Sequence, residues 1–319
     1  MIVTVTANPS LDRTVALGEP LAVGEVQRAS SGREDAGGKG VNVARAIHGA
    51  GLPVRAVLPL AADDPFRALV AATGVEVAAV PVAGRVRANI TLVDPSGETT
   101  KINLPGARVS AGERESLIAG IQDAAAGAEW LVLAGSLPPG AGDDFYVDAV
   151  NAVRLSSPAT RIAVDTSGAA LRAVVAHAGV DLIKPNEDEL AELLGEVADE
   201  TTETDLVAAA VRRAQSLLPR VGSVLVTLGS RGALLVTADT VLRAHAPRIR
   251  VASTVGAGDS SLAGYLIAHT TGASAPDALA RAVAYGAAAA SLPGTRIPVP
   301  EDLPAGVLTV ETLESHRTA

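Results

Sequence analysis

The sequence predicts an α/β fold: three layers, α/β/α, around a largely parallel central sheet, with a small β lid. Three observations carry this. Short apolar runs recur along the 319 residues. Segments rich in Ala and Leu separate them. Two long stretches break that alternation and read as strands outside the main sheet. Strand and helix in alternation imply parallel strands buried on both faces.

The expected buried strands lie at residues 2–6, 54–58, 130–134, 161–165, 180–183 and 224–228. Between them, residues 38–50, 113–126, 143–153, 187–194 and 205–218 read as helices. The first exception, residues 13–36, is too long for an ordinary connection and alternates weakly between turn glycines. The second, residues 85–106, reads as two strands joined by a turn at 94–97. Together they form the expected lid of a single domain spanning 1–319; a decorative edge hairpin is the other reading. No internal repeat is visible. Residues 196–204 read as a solvated loop, and the tail after Pro298 as peripheral.

Composition narrows the function. The formal net charge is −9, which argues against a nucleic-acid or membrane surface. There is no cysteine, hence no disulfide, thiolate chemistry or Cys-ligated zinc. No window approaches the roughly 20 apolar residues of a membrane span, and the N-terminus lacks the features of a signal peptide; a cytoplasmic location is expected. Six aromatic residues leave a core of Ala, Val and Leu. Of 26 basic residues only Lys39, Lys101 and Lys184 are lysine. Arginine-favouring codons would explain that, but lysines can also mark sites suited to a compact ammonium.

Five stretches could carry chemistry. In STVGAGDSSL, Gly256, Ala257 and Gly258 precede a helix with Leu262, Leu266 and His269 on one face and Gly272 near its end. Free amides and the helix dipole there favour an anion. Asp259 in the first turn is either a helix-stabilising charge or a base for a hydroxyl attacking a phosphoryl group. In DAGGKGVNVARAI, Gly37 and Gly38 open a helix from which Lys39 and Asn42 project. That suits a polyol or sugar phosphate, or is simply a Gly-rich helix start. Asp12 follows the first strand, where α/β sheets bind ligands; it could accept two sugar hydroxyls or be a turn residue.

In IKPNEDEL, Pro185 stops a strand and Asn186 caps the next helix. Asn186 and Glu189 share one helix face, and oxygen ligands acting through water suit Mg²⁺. TLGSRGALL reads as strand, tight turn and strand, either a plain hairpin or a rest for a nucleotide. LAGSLPPG ends another strand in a polar turn. The nucleotide motifs fail: Gly40 stands where Walker A needs Ser or Thr, and Ser261 where the dinucleotide motif needs Gly.

In this order TANPSLD, AGGKGVNVARAI, LAGSLPPG, IKPNEDEL, VTLGSRGAL and STVGAGDSSLAG resemble the ribokinase-like carbohydrate kinases, the PfkB family. The likeness covers most of the chain. It is greatest to the hexose-phosphate branch, and Lys39 within GGKG points to enzymes that phosphorylate fructose 1-phosphate or tagatose 6-phosphate.

The resemblance implies ATP and Mg²⁺ as cofactors and a ketohexose phosphate as acceptor, with fructose 1-phosphate attacked through its C6 hydroxyl. It implies Asp259 as base and Gly256, Ala257 and Gly258 as anion hole. It assigns Lys184, Asn186, Thr227, Gly229, Gly232 and Gly258 to ATP. Asn186 and Glu189 would hold Mg²⁺ through water. Asp12, Gly37, Gly38 and Asn42 fall to the sugar. Lys39, Arg87 and Asn89 are expected near its existing phosphate, with Lys101 and Ser136 as further candidates. The lid often pairs two subunits in this branch, so a homodimer is implied. The alternatives are a 6-phosphate acceptor reacting at C1, or a non-catalytic sugar-phosphate sensor.

Overall fold

The computed structural model describes residues 1–198, 200 and 202–313. Apolar β1 (Ile2–Val5) is followed by a hairpin, β2 (Ser10–Leu17) and β3 (Ala29–Gly37), and by α1 (Lys39–Gly49). Next come β4 (Val54–Leu60), α2 (Phe66–Ala71), β5 (Glu76–Pro81), and the pair β6 (Arg87–Val93) and β7 (Thr99–Asn103). Then α3 (Ala111–Ala124), β8 (Trp130–Ala134), α4 (Phe145–Ser156), β9 (Arg161–Asp165), α5 (Gly168–His177) and β10 (Leu182–Ile183) alternate. Finally come α6 (Glu187–Leu193), α7 (Glu203–Leu217), β11 (Ser223–Thr227), β12 (Ala233–Thr237), β13 (Val241–Ala244), α8 (Ala257–Thr270), α9 (Ala275–Ser291) and β14 (Val310–Leu313).

The large sheet has ten strands in the order β14-β13-β12-β11-β10-β9-β8-β1-β4-β5. β5 through β11 in that order pair in parallel, and β12, β13 and β14 add antiparallel. The apolar runs are continuous because both faces are covered. Leu131 and Leu133 of β8 join the core that includes residues of α3, α4, α5 and α7; Trp130, Val132 and Ala134 join that of α1, α8 and α9. Each fully buried Leu or Val there contributes about 1.5–3 kcal/mol.

The second sheet is separate, with four strands in the order β3-β2-β6-β7. Its register pairs Asp12 with Asn89 and Asp35, and Thr91 with Thr14 and Lys101. Side chains alternate along a strand. One face therefore carries Ser10, Asp12, Arg87 and Asn89, and the other Leu11, Val15, Ile90, Leu92 and Ile102.

Several expectations shift. The tail is not wholly peripheral: β14 pairs with β13 along four residues. The strand expected over 180–183 shortens at its start to Leu182–Ile183, the two residues that pair with β9. Asp12 lies within β2, not in a turn after β1. Gly272, at φ 78°, closes α8: its N–H donates to His269 O, and that of Ala273 to Ala268 O. The loop expected over 196–204 falls partly outside the described residues, as do residues 314–319; α7 starts within it, capped by Thr202.

Candidate active site

Sheet order places the site. β1 lies between β4 and β8, so successive connections leave it toward opposite sides. A crevice opens at the carboxyl ends of strands where the order reverses. Around that edge lie Ser136 just after β8, Asp165 ending β9, Lys184 after β10 and Thr227 ending β11.

α8 aims its N-terminus at this crevice. Gly256 caps it with φ 76° and ψ 2°, and the first turn leaves amides, including that of Gly258, without an intrahelical acceptor. Asp259 is buried, 7 % exposed. Asn42, buried on α1, donates from Nδ2 to Asp259 Oδ2 at 2.8 Å. Burial, then the negative charge of Asp165, push the Asp259 carboxyl up to about 6, against Lys39, the Asn42 hydrogen bond and Lys184. That is a carboxylate strong enough to accept a proton at neutral pH. A side chain on Gly258 would stand 3.3 Å from Lys184 Nζ, so a glycine there lets the ammonium reach the helix start.

Both cleft lysines meet one carboxylate. Lys39 Nζ donates to Asp165 Oδ1 at 2.7 Å, and Lys184 Nζ lies 3.2 Å from Asp165 Oδ2 as an ion pair. Asp165 is fully buried and Lys184 nearly so. Lys39 Nζ also stands 3.9 Å from Glu189 Oε1. Burial works against its charge, but Asp165, Asp259 and Glu189 outweigh that and hold it firmly protonated. Lys39 was expected at the acceptor's phosphate, with Arg87. Its ammonium pairs with Asp165, on the side of the cleft that holds Lys184 and Thr227. Asp165 itself was missed; an acid ending a parallel strand was the available signal.

On that side Asn186 and Glu189 form a reciprocal cap. Asn186 Oδ1 accepts from the Glu189 amide at 2.7 Å, and Glu189 Oε2 from the Asn186 amide at 3.0 Å. The cap uses one oxygen of Glu189 and leaves Oε1 toward Lys39. Among the described residues no cluster of three or more His, Cys, Asp or Glu could hold a metal ion. A single carboxylate nevertheless fits Mg²⁺, which keeps several waters and binds largely through substrate phosphates.

Thr227 donates its amide to Pro185 O at 3.1 Å and forms a parallel bridge with Asn186. Gly229 opens a 3₁₀ turn, Gly229–Arg231, closed by Gly232. Lys39, Lys184, Glu189, Thr227, Gly232 and Asp259 line one cleft of about 1060 Å³. Its far wall is apolar, from Ala246 and Ile249 to Val283, Ala287 and Ala290.

The small sheet supplies the other side. Asp12 Oδ1 accepts from Ser10 Oγ at 2.7 Å and Asn89 Nδ2 at 3.1 Å. Burial raises the Asp12 carboxyl pKa despite those bonds and Arg87. A side chain on Gly37 would meet Asp12 Oδ2 at 2.1 Å, so that carboxylate requires glycine there. Gly38 caps α1 at φ 113°. Arg87 donates to Leu104 O at 2.8 Å and reaches Ser136 Oγ at 3.4 Å. Asn8, also missed, donates to Pro105 O and to Ser136 Oγ, tying the end of this sheet to the β8 turn. Arg87 Nε, Asn89 Oδ1 and Asn42 Oδ1 are buried with no hydrogen-bond partner; such atoms call for a ligand or water. Lys101 is exposed on edge strand β7, on the Asp12 face but a row farther out, and joins none of these contacts.

A carboxylate of raised pKa at a helix start thus lines a large cleft, and Asn42 ties it to α1, which follows β3 of the small sheet. The sequence matches the pfkB family of carbohydrate kinases over residues 6–302. The chain belongs to that family. It is 35% identical over 318 residues to a 1-phosphofructokinase of Rhodobacter capsulatus, covering 98% of both chains. It is 37% identical over 316 residues to a 1-phosphofructokinase of Haloferax volcanii, covering 98% of this chain and 97% of that one. Phosphofructokinase-2 from Escherichia coli, solved in complex with substrates and products, superposes with a TM-score of 0.85 at 32% identity, covering 94% and 96%. As a pfkB carbohydrate kinase the chain is an ATP-dependent sugar kinase with a ribokinase-like α/β fold. No helix among its described residues is long and apolar enough to cross a membrane.

Proposed function

We propose that this kinase transfers the γ-phosphoryl group of ATP to the C6 hydroxyl of fructose 1-phosphate, giving fructose 1,6-bisphosphate and ADP. The observation that carries the reading is Asp259, held by Asn42 at the start of α8 between the cleft and the small sheet. The hydroxyl oxygen attacks the γ-phosphorus, the bond to the β–γ bridging oxygen breaks, and Asp259 takes the hydroxyl proton. The amides of Gly256 and Gly258 face the charge on the transferring group, while that of Ala257 donates to Thr254 O at 3.4 Å. Asp12 and Asn89 orient the sugar hydroxyls, and Arg87 with Ser136 takes the existing phosphate. Lys39 and Lys184 serve the phosphates of ATP rather than that of the sugar. Mg²⁺, held by Glu189 and Asn186 through water, would neutralise phosphate charge.

The four-stranded sheet acts as a lid whose polar face covers the sugar. Its apolar face supports a homodimer: Val15, Ile90 and Leu92 are only half-buried, and Ile102 is 47% exposed. A cytoplasmic location fits a cysteine-free chain that uses ATP.

The test is ADP release with ATP and Mg²⁺, comparing fructose 1-phosphate, fructose 6-phosphate, tagatose 6-phosphate and fructose. The expected kcat/KM advantage for fructose 1-phosphate exceeds about tenfold, or about 1.4 kcal/mol of transition-state discrimination. Preference for a 6-phosphate would keep Asp259 as base and move the reacting hydroxyl to C1.

A further inference from the structure

We propose that Asp165 is the positioning residue of this site: touching no substrate, it bridges Lys39 and Lys184 and fixes where both ammoniums stand against the phosphates of ATP. The proposal rests on the kinase reading above.

Three features point to it. Asp165 has no exposed surface, and each of its oxygens faces a different lysine, at 2.7 Å and 3.2 Å. Neither oxygen is exposed: Oδ1 accepts from Lys39, and Oδ2, which has no hydrogen-bond partner, is buried and ion-paired with Lys184. Second, two of the chain's only three lysines converge on it. An ammonium is a compact point charge, so two can share one carboxylate and still present donors to the cleft that both line. Third, Asp165 is the one carboxylate within ion-pair distance of Lys184 among the described residues. Without it a nearly buried ammonium would lose its partner, a costly arrangement.

The charges leave a purpose for the trio. One carboxylate and two ammoniums sum to one positive charge, directed at the start of α8, where Lys184 abuts Gly258. Burial opposes ionisation of Asp165, but Lys184 and Lys39 outweigh it and hold its carboxyl below the usual range. The same negative charge acts on Asp259. The groups facing Asp259 are Asp165 from β9, Lys39 and Asn42 from α1, and Lys184 after β10.

The experiment is Asp165→Asn, a near-isosteric change, read two ways. One is calorimetric titration of the whole protein with a non-hydrolysable ATP analogue. The other is the pH profile of kcat/KM. We expect the analogue's Kd to rise about tenfold, the scale of one weakened charge contact. The acid limb of the profile should move to lower pH, because a like charge beside Asp259 is gone. Asp165→Glu keeps the charge but displaces it, so its acid limb should stay near that of the parent while kcat falls; it also serves if the Asn variant does not fold.

An unmoved acid limb with only a lower Tm would make Asp165 merely structural and overturn the proposal. So would an analogue Kd within about twofold of the parent, or a large rise in the Mg²⁺ requirement with metal-free nucleotide binding unchanged. If the parent binds the analogue but phosphorylates no ketohexose phosphate, the substrate reading fails while the titration still reads Asp165.

Discussion

Asn42 and Asp259 are 217 residues apart in sequence and 2.8 Å apart in space, the amide nitrogen of one on the carboxylate of the other. This contact joins α1, which opens with the GGKG glycines, to α8, which opens with the GAG turn. A hydrogen bond to a carboxylate favours its charged form. Asn42→Ala should therefore raise the Asp259 pKa further. The acid limb of kcat/KM is expected to move up by about one pH unit, the equivalent of one hydrogen bond to a charged group. A higher sugar-phosphate KM with an unmoved limb would instead assign Asn42 to the sugar.

In the unaltered enzyme the base must be ionised to work. With Asp259 at about 6, kcat/KM should fall tenfold per pH unit well below that value and level off toward neutrality. A rate profile taken between pH 4.5 and 8 at saturating ATP checks it. An activity constant down to pH 5 would remove Asp259 from the proton transfer.

Asp259→Asn separates catalysis from stability. The rate should drop by at least ~10², the low end for acid–base groups. Stability should change the other way at neutral pH. The folded pKa of about 6 lies above the unfolded carboxylate value of about 3.9, so between them the folded protein holds the proton more tightly. Asp259 thus favours folding at low pH, and that contribution is lost as pH rises through 6. An uncharged amide escapes the loss. The variant's Tm should exceed the parent's by about 2 °C or more at pH 7.5, with the gap closing by pH 4.5. Calorimetric scans at the two pH values read it directly; a variant less stable at both would mean the ionised carboxylate is held favourably.

The strands and the helix start were legible for local reasons. β1, β8 and β9 are apolar runs buried on both faces, and α6 carries its own cap in Asn186 and Glu189. β10 was overdrawn because Val180, though buried, precedes the two paired residues. Asp165 carried one local signal, an acid ending a parallel strand, but its pairing was not legible, since one of its lysines comes from 126 residues away. For the same reason the sequence did not show that Lys39 pairs with Asp165. Its place beside two glycines suggested a sugar phosphate, whereas its direction is set by Asp165 and Glu189.

The place proposed for Lys39, at the phosphates of ATP, makes opposite predictions for two cations. Arg87→Met removes the guanidinium that reaches Ser136 beside the small sheet. It should raise the sugar-phosphate KM about tenfold or more, the loss of one charge-assisted contact, with the ATP KM within about twofold. Lys39→Met should do the reverse, lowering kcat and raising the ATP KM. If Lys39→Met acted chiefly on the sugar phosphate, its ammonium would have to leave Asp165 on substrate binding.

Gly37→Ala tests the sugar side without removing a functional group. The new methyl would lie 2.1 Å from Asp12 Oδ2, far inside contact distance, so either the carboxylate turns away or β3 shifts. Turning breaks its bonds from Ser10 and Asn89 and withdraws the acceptor proposed for the sugar hydroxyls. The sugar-phosphate KM should rise about tenfold or more, about 1.4 kcal/mol, within the range for hydrogen bonds to a charged group. Nucleotide affinity, proposed to rest on Lys39, Lys184 and the Thr227 turn across the cleft, should stay within about twofold. Steady-state kinetics with each substrate varied in turn separates the two. Equal losses for both would show that the methyl disturbs α1, which follows Gly38 and carries Asn42, rather than Asp12 alone.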